Sequence, residues 1–558
     1  MPPPTDGASF DLVAEPWLPV RGTDGTGGEL SLEQVFSRAG VLSRLVGDVP
    51  TQEFALMRLL LAIAHDALDG PQDAEAWEEL WAGEEPFAPV AGYLQAHRER
   101  FDLLHPRTPF FQVAGLRTAK DDVAPLNRIV ADVPNGDPFF TMRARGAERL
   151  DFAEAARWVV HAHAFDPSGI KSGAVGDPRV KSGKGYPQGV AWAGNIGAVL
   201  VEGATLRETL LLNLMAADAG SIRAYAGDRP AWRRGPEGPG PAADLASRPQ
   251  GLRDLYTWQS RRIRLCHDAR GVHGVVLGYG DPLAPQNLHG IEPMTGWRRS
   301  AAQEKKRGED LVYMPRTHDP ARSAWRGLGA LVAGRVRGGD QRRDAAASLR
   351  PRVLEWIARL TTEGYLPPEH LIRARLLGAV YGTQQSVVDE MIDDALVMAV
   401  VVLHERDERF AQAALEAADD ADAAVRLLGE LAAELAEASG RAADPERDSA
   451  HDLGYGALDG PYRRWLRELV PTCDPQGARR DWQRLTHRII REAGDRILDG
   501  CAGDAAWSGR TVATASGALW LNDTRAELRF RRELSRRLGQ GGPGEVPAGT
   551  DDDVKVSI

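Results

Sequence analysis

Three side chains of this 558-residue chain have types and spacing that could hold a metal ion: His161, His163 and Asp166, in "HAHAFD". Two imidazoles and a carboxylate can ligate zinc or iron, and a bound metal would activate water for hydrolysis. The preceding residues, "FAEAARWVV", have helical character, and on a helix positions i and i+2 face apart. Structural or capping roles are therefore expected for both histidines and no metal is assigned, with a metal-dependent hydrolase as the alternative function. No Gly-x-Ser-x-Gly elbow, His-Glu-x-x-His pair or dinucleotide fingerprint occurs in the chain. No catalytic residue is assigned.

A second chemistry is suggested by residues 169–189, "GIKSGAVGDPRVKSGKGYPQG", with six glycines, four Lys or Arg and only Asp177 acidic. Such a backbone can approach an anion closely. It is not a mononucleotide phosphate loop: Lys184 is followed by Gly185 rather than by the Ser or Thr that holds magnesium, and Gly176 to Gly183 is too long a spacing. A third candidate is "YGTQQ", residues 381–385, where Gly382 permits a tight turn and Gln384 and Gln385 offer flat amides that stack and hydrogen-bond. Taken alone it reads as a polar loop before a helix.

Charge narrows the class of partner. The formal net charge of −11 disfavours a polyanion, but residues 386–440 carry fourteen acidic side chains against three arginines, so the rest of the chain sums to zero. Residues 297–353 hold fourteen basic and six acidic side chains, which fits a polyanion-binding face. Cys266, Cys473 and Cys501 lie far apart, without zinc spacing or a disulfide framework. The opening "MPPPTDGASF" lacks secretory-signal features, and the longest apolar run, "ALVMAVVVL", is too short to span a bilayer, so a cytoplasmic protein without a membrane partner is expected.

The elements that must carry these residues divide in two. "FDLVAEPWLPV" suits a short edge strand. "TQEFALMRLLLAIAHDAL" buries Phe54, Met57, Leu61 and Ala64 along one helical face. In "GATLRETLLLNLM", Thr205 precedes Glu208 by three residues as in a capping box. Residues 250–380 alternate short strand-like pieces with Gly and Pro turns. After "YGTQQ" the pattern becomes helical: Ser386 and Asp389 suit the cap of a helix with Val388, Ile392, Ala395, Ala399 and Val402 on one face. Further helices read in "DAAVRLLGELAAELAEA", "GARRDWQRLTHRIIREAGDRIL" and "DTRAELRFRRELSRRL". The expected fold is α+β: an irregular mixed N-terminal domain over residues 1–380, a turn at 381–385, a C-terminal four-helix bundle over 386–540 and a flexible acidic tail over 541–558.

In order and spacing, "PWLPV", Gly169 to Gly173 as Gly-x-Lys-Ser-Gly, "LRETLLLN", "TQQS" and the helical last third resemble the CasA family, the large subunits of the type I-E CRISPR surveillance complex Cascade. The resemblance spans nearly the whole chain. It implies a non-catalytic subunit, without cofactor, of a ribonucleoprotein in which guide RNA reads the target while this subunit inspects the flanking PAM duplex. By the same resemblance, Ser168, Gly169, Ile170, Lys171, Ser172 and Gly173 form a loop for the PAM minor groove, with Lys171 meeting phosphates. Gln384 and Gln385 form a wedge that parts the adjacent base pairs. Phe140 anchors an RNA-contacting loop in "PFFTMRARGAERL" whose Arg143 and Arg145 meet the guide. The implied partners are the guide RNA 5′ end, double-stranded target DNA, the backbone, small-subunit-dimer and 5′-handle-binding subunits of Cascade, and a helicase-nuclease. Two family features are missing: of a cysteine cluster carried by some members only Cys266 remains, and no lysine stands between Gly278 and Trp297 to read PAM edges.

Overall fold

Asp151 opens the helix Phe152–Phe165 by accepting from the Glu154 amide at 2.7 Å, and the helix closes at Asp166, whose N–H donates to Ala162 at 3.2 Å. "HAHAF" is thus the last turn of the helix that "FAEAARWVV" begins. The helix Pro50–Ala67, started by a proline at its first turn, packs against it. Phe54, Met57, Leu61 and Ala64 are buried as the periodicity predicts, but so is nearly every other residue of that helix, which runs through the core.

The computed structural model describes residues 8–131, 148–219, 227–332, 347–500, 504–514 and 517–539. The chain divides into two units, Met1–Asp407 and Glu408–Ile558. Among the described residues no helix is long and apolar enough to cross a membrane.

The first unit is mixed helix and strand. Leu18–Gly22 is the middle strand of a three-stranded antiparallel sheet, between Gly27–Leu30 and Leu42–Leu45, not the edge strand its prolines suggested. Pro19 stands where the Leu42–Leu45 ladder has run out, so its missing N–H costs no ladder bond. Thr205 caps the helix Leu206–Leu212 through the Glu208 amide at 3.2 Å, while the Glu208 carboxylate accepts from Ala204 at 2.7 Å.

A second antiparallel sheet, ordered Val388–Ala399, Leu371–Tyr381, Ala198–Glu202, carries the glutamine turn at one end of its long hairpin. The helix expected from Ser386 onward is therefore a strand. Its apolar spacing fits both periods, but Leu396 and Met398 are buried on alternate positions. Cross-strand bonding decides the matter: Arg375 on the neighbouring strand donates twice to the Asp393 carboxylate at 2.7 Å and also reaches Glu53 and Glu202. A helix would break that buried cluster. The strand belongs to the first unit, so the helical part begins some twenty residues later than its sequence suggested.

In the second unit the long helices Arg409–Ala438, Ala443–Glu468, Pro475–Gly500 and Asp523–Arg537 pack on one another. The first is alanine-rich on its buried side, which lets its neighbours approach: Tyr462 Oη donates to the Ala414 carbonyl and Trp482 Nε1 to that of Ala417, both at 2.8 Å. The sequence pattern missed Ala443–Glu468 because Gly454, Gly456, Gly460 and Pro461 read as breaks. Gly454 is instead a contact point, where an added Cβ would lie 3.0 Å from Val425.

Candidate nucleic-acid interface

The glycine-rich stretch begins where the helix Phe152–Phe165 ends. Asp166 is buried, and its carboxylate holds the Lys171 ammonium at 2.6 Å and the Arg261 guanidinium. Ser168 is buried too. Gly169 has φ +107°, a conformation that costs a side-chain-bearing residue dearly, and Ile170 is 51% exposed.

From there the chain forms a narrow ribbon, Lys171–Ser172 against Lys184–Gly185. Gly173 is required by close approach: a Cβ there would sit 2.3 Å from the Gly183 carbonyl oxygen. The connection, residues 173–183, re-enters the ribbon through a two-residue turn in which Ser182 and Gly183 both have positive φ, +50° and +72°, with reciprocal backbone bonds between Lys181 and Lys184. Lys181 and Lys184 are exposed on either side of this turn.

Gln384 and Gln385 are both exposed and both left-handed, with φ +57° and +55°. The turn holds this shape through Gln385 N–H to the Gly382 carbonyl at 2.8 Å and Ser386 Oγ to the Thr383 carbonyl at 2.9 Å. Gly382 lies close to the exposed Asp389 carboxylate, 2.4 Å from where a Cβ would stand, a contact the side chain relieves by turning outward.

The two motifs, far apart in sequence, touch. Ser168 N–H donates to the Gln385 carbonyl at 2.7 Å, and a Cβ on Gly169 would lie 3.8 Å from that of Ser386. Behind them a cavity of about 30 Å³ is lined by Asn127 to Ala131, His161, Asp166, Pro167 and Ser386 to Val388. Asn127 to Ala131 lead toward residues 132–147, and Phe140, Arg143 and Arg145 lie in that segment, outside the described residues.

Lys171 departs from its expected role. Its side chain is 5% exposed and turned onto Asp166, so it does not present its charge to solvent. Burial, and then Arg261, push its pKa down, while Asp166 pulls it up. The exposed cations of the stretch are Lys181 and Lys184.

His161, His163 and Asp166 do not converge as ligands. His161 Nε2 shares a hydrogen bond with Thr51 Oγ1 at 2.9 Å, and His163 Nε2 donates to the Phe111 carbonyl at 2.8 Å while its Nδ1 accepts from the Arg261 amide. Burial drives both below the usual histidine range, His161 to about 4 and His163 to about 3, and the geometry fits neutral rings. Among the described residues no three His, Cys, Asp or Glu are grouped to hold a metal. Cys266 is buried on a strand, its thiol pKa pushed up by burial.

Two contributors were not legible in sequence. Arg261 and Tyr279, on the paired strands Arg261–Asp268 and Gly271–Tyr279, face the loop from below: the guanidinium lies 4.9 Å from the Tyr279 ring centre, and Tyr279 Oη donates to the Gly169 carbonyl at 2.6 Å. Nothing local in "SRRIRL" marks Arg261 as buried. In the basic segment, Arg316 and Arg322 border a separate cavity of about 130 Å³, and burial together with Arg298 and Arg322 lowers the Arg316 pKa.

Comparison with known proteins places the chain in a family. The profile of CRISPR-associated protein Cse1 matches residues 11–493. The crystal structure of Thermobifida fusca Cse1 is 60% identical, with a TM-score of 0.89, covering 96% of this chain and 99% of that one. The CasA/Cse1 protein of Thermus thermophilus is 29% identical over 96% of this chain and 98% of its own length. A chain of a structure described as a CRISPR RNA-guided surveillance complex shares the fold, with a TM-score of 0.67 at 20% identity over 94% of this chain and 99% of that one. A profile match over most of the length, together with these relatives, shows that the chain belongs to the Cse1 family of CRISPR-associated proteins.

Proposed function

We propose that this chain is the non-catalytic large subunit of a type I-E Cascade, recognising the PAM of double-stranded target DNA and starting strand separation for guide-RNA pairing. The observation that carries the proposal is the Ser168–Gln385 hydrogen bond, which puts the half-buried Gly169, followed by the exposed Ile170, beside two exposed glutamines. Family membership and the fold shared with a surveillance-complex chain support assembly with other Cascade subunits.

The chemistry of each part suits its role. A B-DNA minor groove is about 6 Å wide, so a backbone bare of side chain at Gly169 can reach base edges that bulkier residues cannot. Parting base pairs costs a few kcal/mol of unstacking, which flat amides on Gln384 and Gln385 offset by stacking and hydrogen bonding. Affinity comes from cations meeting phosphates, a task that falls to the exposed Lys181 and Lys184 rather than the buried Lys171. Phe140, Arg143 and Arg145 complete the proposal as the contact to the guide RNA 5′ end, and the assembled subunit presents a platform to the helicase-nuclease.

The decisive experiment is binding of assembled complex, carrying Gly169→Leu or the native residue, to matched targets with good and bad PAM sequences. The variant is expected to compress the ratio between the two targets. An unchanged ratio would remove DNA reading from this loop.

A further inference from the structure

Residues 169–189 form a loop of the first unit, and a single guanidinium holds both of its ends. Arg261 Nη2 donates to the carbonyls of Asp166 at 2.8 Å and Pro167 at 3.2 Å on the way out, and to that of Gly189 at 3.1 Å on the way back. Its Nε meets the Asp166 carboxylate and its Nη1 the Ser260 carbonyl at 3.0 Å. The other oxygen-bound cation on Asp166 is Lys171, the first residue of the ribbon. The side chains of Asp166, Lys171 and Arg261 are each at most 5% exposed.

This buried cluster is stiff because its members have no water to replace a lost partner. Its stiffness reaches the glutamine turn by two routes. Ser168, next but one to Asp166, donates to Gln385, and Tyr381, the last residue of the strand entering the turn, donates through Oη to the Phe165 carbonyl at 2.7 Å, next to Asp166. Tyr279 ties the cluster to Gly169 itself.

We propose that Asp166 and Arg261 are positioning residues that lock the glycine loop and the glutamine turn into one unit, so that duplex readout and strand parting depend on each other. The proposal rests on the function proposed above. Both side chains lie beneath the loop and act through the backbone of Asp166 to Gly169 and of Gln385, rather than on DNA. Arg261 sets where the loop starts and ends. Asp166 balances Arg261 and pulls Lys171, and with it the ribbon, against the same point.

The test uses complex assembled with guide RNA and two ratios: binding to targets with good and bad PAM, and invasion rate on an intact duplex against one already unpaired beside the PAM. Gly169→Leu and the pair Gln384→Ala with Gln385→Ala serve as references, expected to lower chiefly the first and the second ratio respectively. Asp166→Asn keeps shape but removes charge, and Arg261→Lys keeps charge but has one nitrogen where the guanidinium uses three to hold the Asp166 carboxylate, the Ser260 carbonyl and the loop-end carbonyls together; each is expected to lower both ratios, by about tenfold. Where these variants fail to assemble, Tyr279→Phe decides, since it deletes one hydroxyl and is expected to lower both ratios by about threefold. If the references act but the positioning variants leave either ratio within about twofold of the native complex, the coupling is wrong and the proposed function survives. If the references themselves move neither ratio, the function on which the coupling rests is overturned.

Discussion

The backbone amide of Ser168 donates to the carbonyl oxygen of Gln385 at 2.7 Å, joining a loop from the first third of the chain to a hairpin turn from its last third. Neither side chain is involved. The glycine loop and the glutamines are consequently held in fixed relation while Gln384 and Gln385 keep their amides free on the surface.

The first prediction separates the shape of the turn from its chemistry. Both glutamines occupy left-handed conformations, which cost about 1–2 kcal/mol each for a residue with a side chain. Glycine at both positions relieves that strain and raises stability, alanine does not, and both pairs of substitutions remove the amides. Invasion of an intact duplex is expected to slow in both variants, while a target already unpaired beside the PAM is invaded at the native rate. Equal slowing on both targets would show that the amides do not part strands.

The location of positive charge gives a second prediction. Lys171 is buried on Asp166, whereas Lys181 and Lys184 are exposed beside the Ser182–Gly183 turn. Lys171→Met leaves Asp166 paired with Arg261 and should not change the salt dependence of DNA binding. Lys181→Ala with Lys184→Ala should weaken binding about equally for every PAM and flatten the log–log salt slope by about two units. A slope that responds to Lys171 and not to Lys181 and Lys184 would reverse this assignment.

Close packing within the ribbon yields a third. A methyl group at Gly173 meets the Gly183 carbonyl oxygen at 2.3 Å, backbone that cannot rotate away. Gly173→Ala is expected to open the pairing of Lys171–Ser172 with Lys184–Gly185 at a cost of about 1–3 kcal/mol. Amide exchange should quicken across residues 171–185, with the helices of the second unit unaffected. Native protection in the variant would mean that the ribbon accommodates the methyl.

The fourth concerns acid. His161 and His163 have folded-state values of about 4 and about 3, against 6.5 when unfolded. Between those limits the unfolded chain binds more protons, so stability is complete above pH 6.5 and declines as pH falls toward 4. Each histidine contributes a slope of up to about 1.4 kcal/mol per pH unit. Denaturant unfolding at pH 7, 6 and 5 should show the decline, and His161→Gln should flatten it. An identical slope in that variant would mean His161 is not the group responsible.

The proposed guide-RNA contact gives a fifth. Replacing Arg143 and Arg145 with Ala is expected to loosen the subunit from assembled complex, the more so as salt rises, because two phosphate or base contacts are lost and the remaining ones are screened. Retention equal to the native subunit across a salt titration would count against the RNA role of that segment.

Much of the local structure was legible. Three of the four long helices of the second unit announce themselves by apolar spacing, and the glycine-rich loop stands out because glycine takes the positive φ that its bends at Gly169 and Gly183 require. The family was legible in the order of such motifs, which the match over residues 11–493 bears out. Two elements were misread for identifiable reasons. Residues 388–399 carry apolar spacing compatible with either period, and pairing with Leu371–Tyr381 chose the strand. The helix Ala443–Glu468 contains glycines and a proline that local propensity counts as breaks, and contacts such as that of Gly454 with Val425 outweigh it.

By itself the sequence determined which residues are free to bend, which faces are apolar and where charge accumulates, because these follow from side-chain chemistry over a few neighbouring positions. Tertiary structure alone decided that Lys171 faces inward to Asp166, that Arg261 closes the loop, and that Ser168 meets Gln385. Burying a lysine is favourable only where a carboxylate waits, and that carboxylate's position is set by the end of a helix. A backbone bond between distant segments forms only where the packing of a sheet against two helices brings them together.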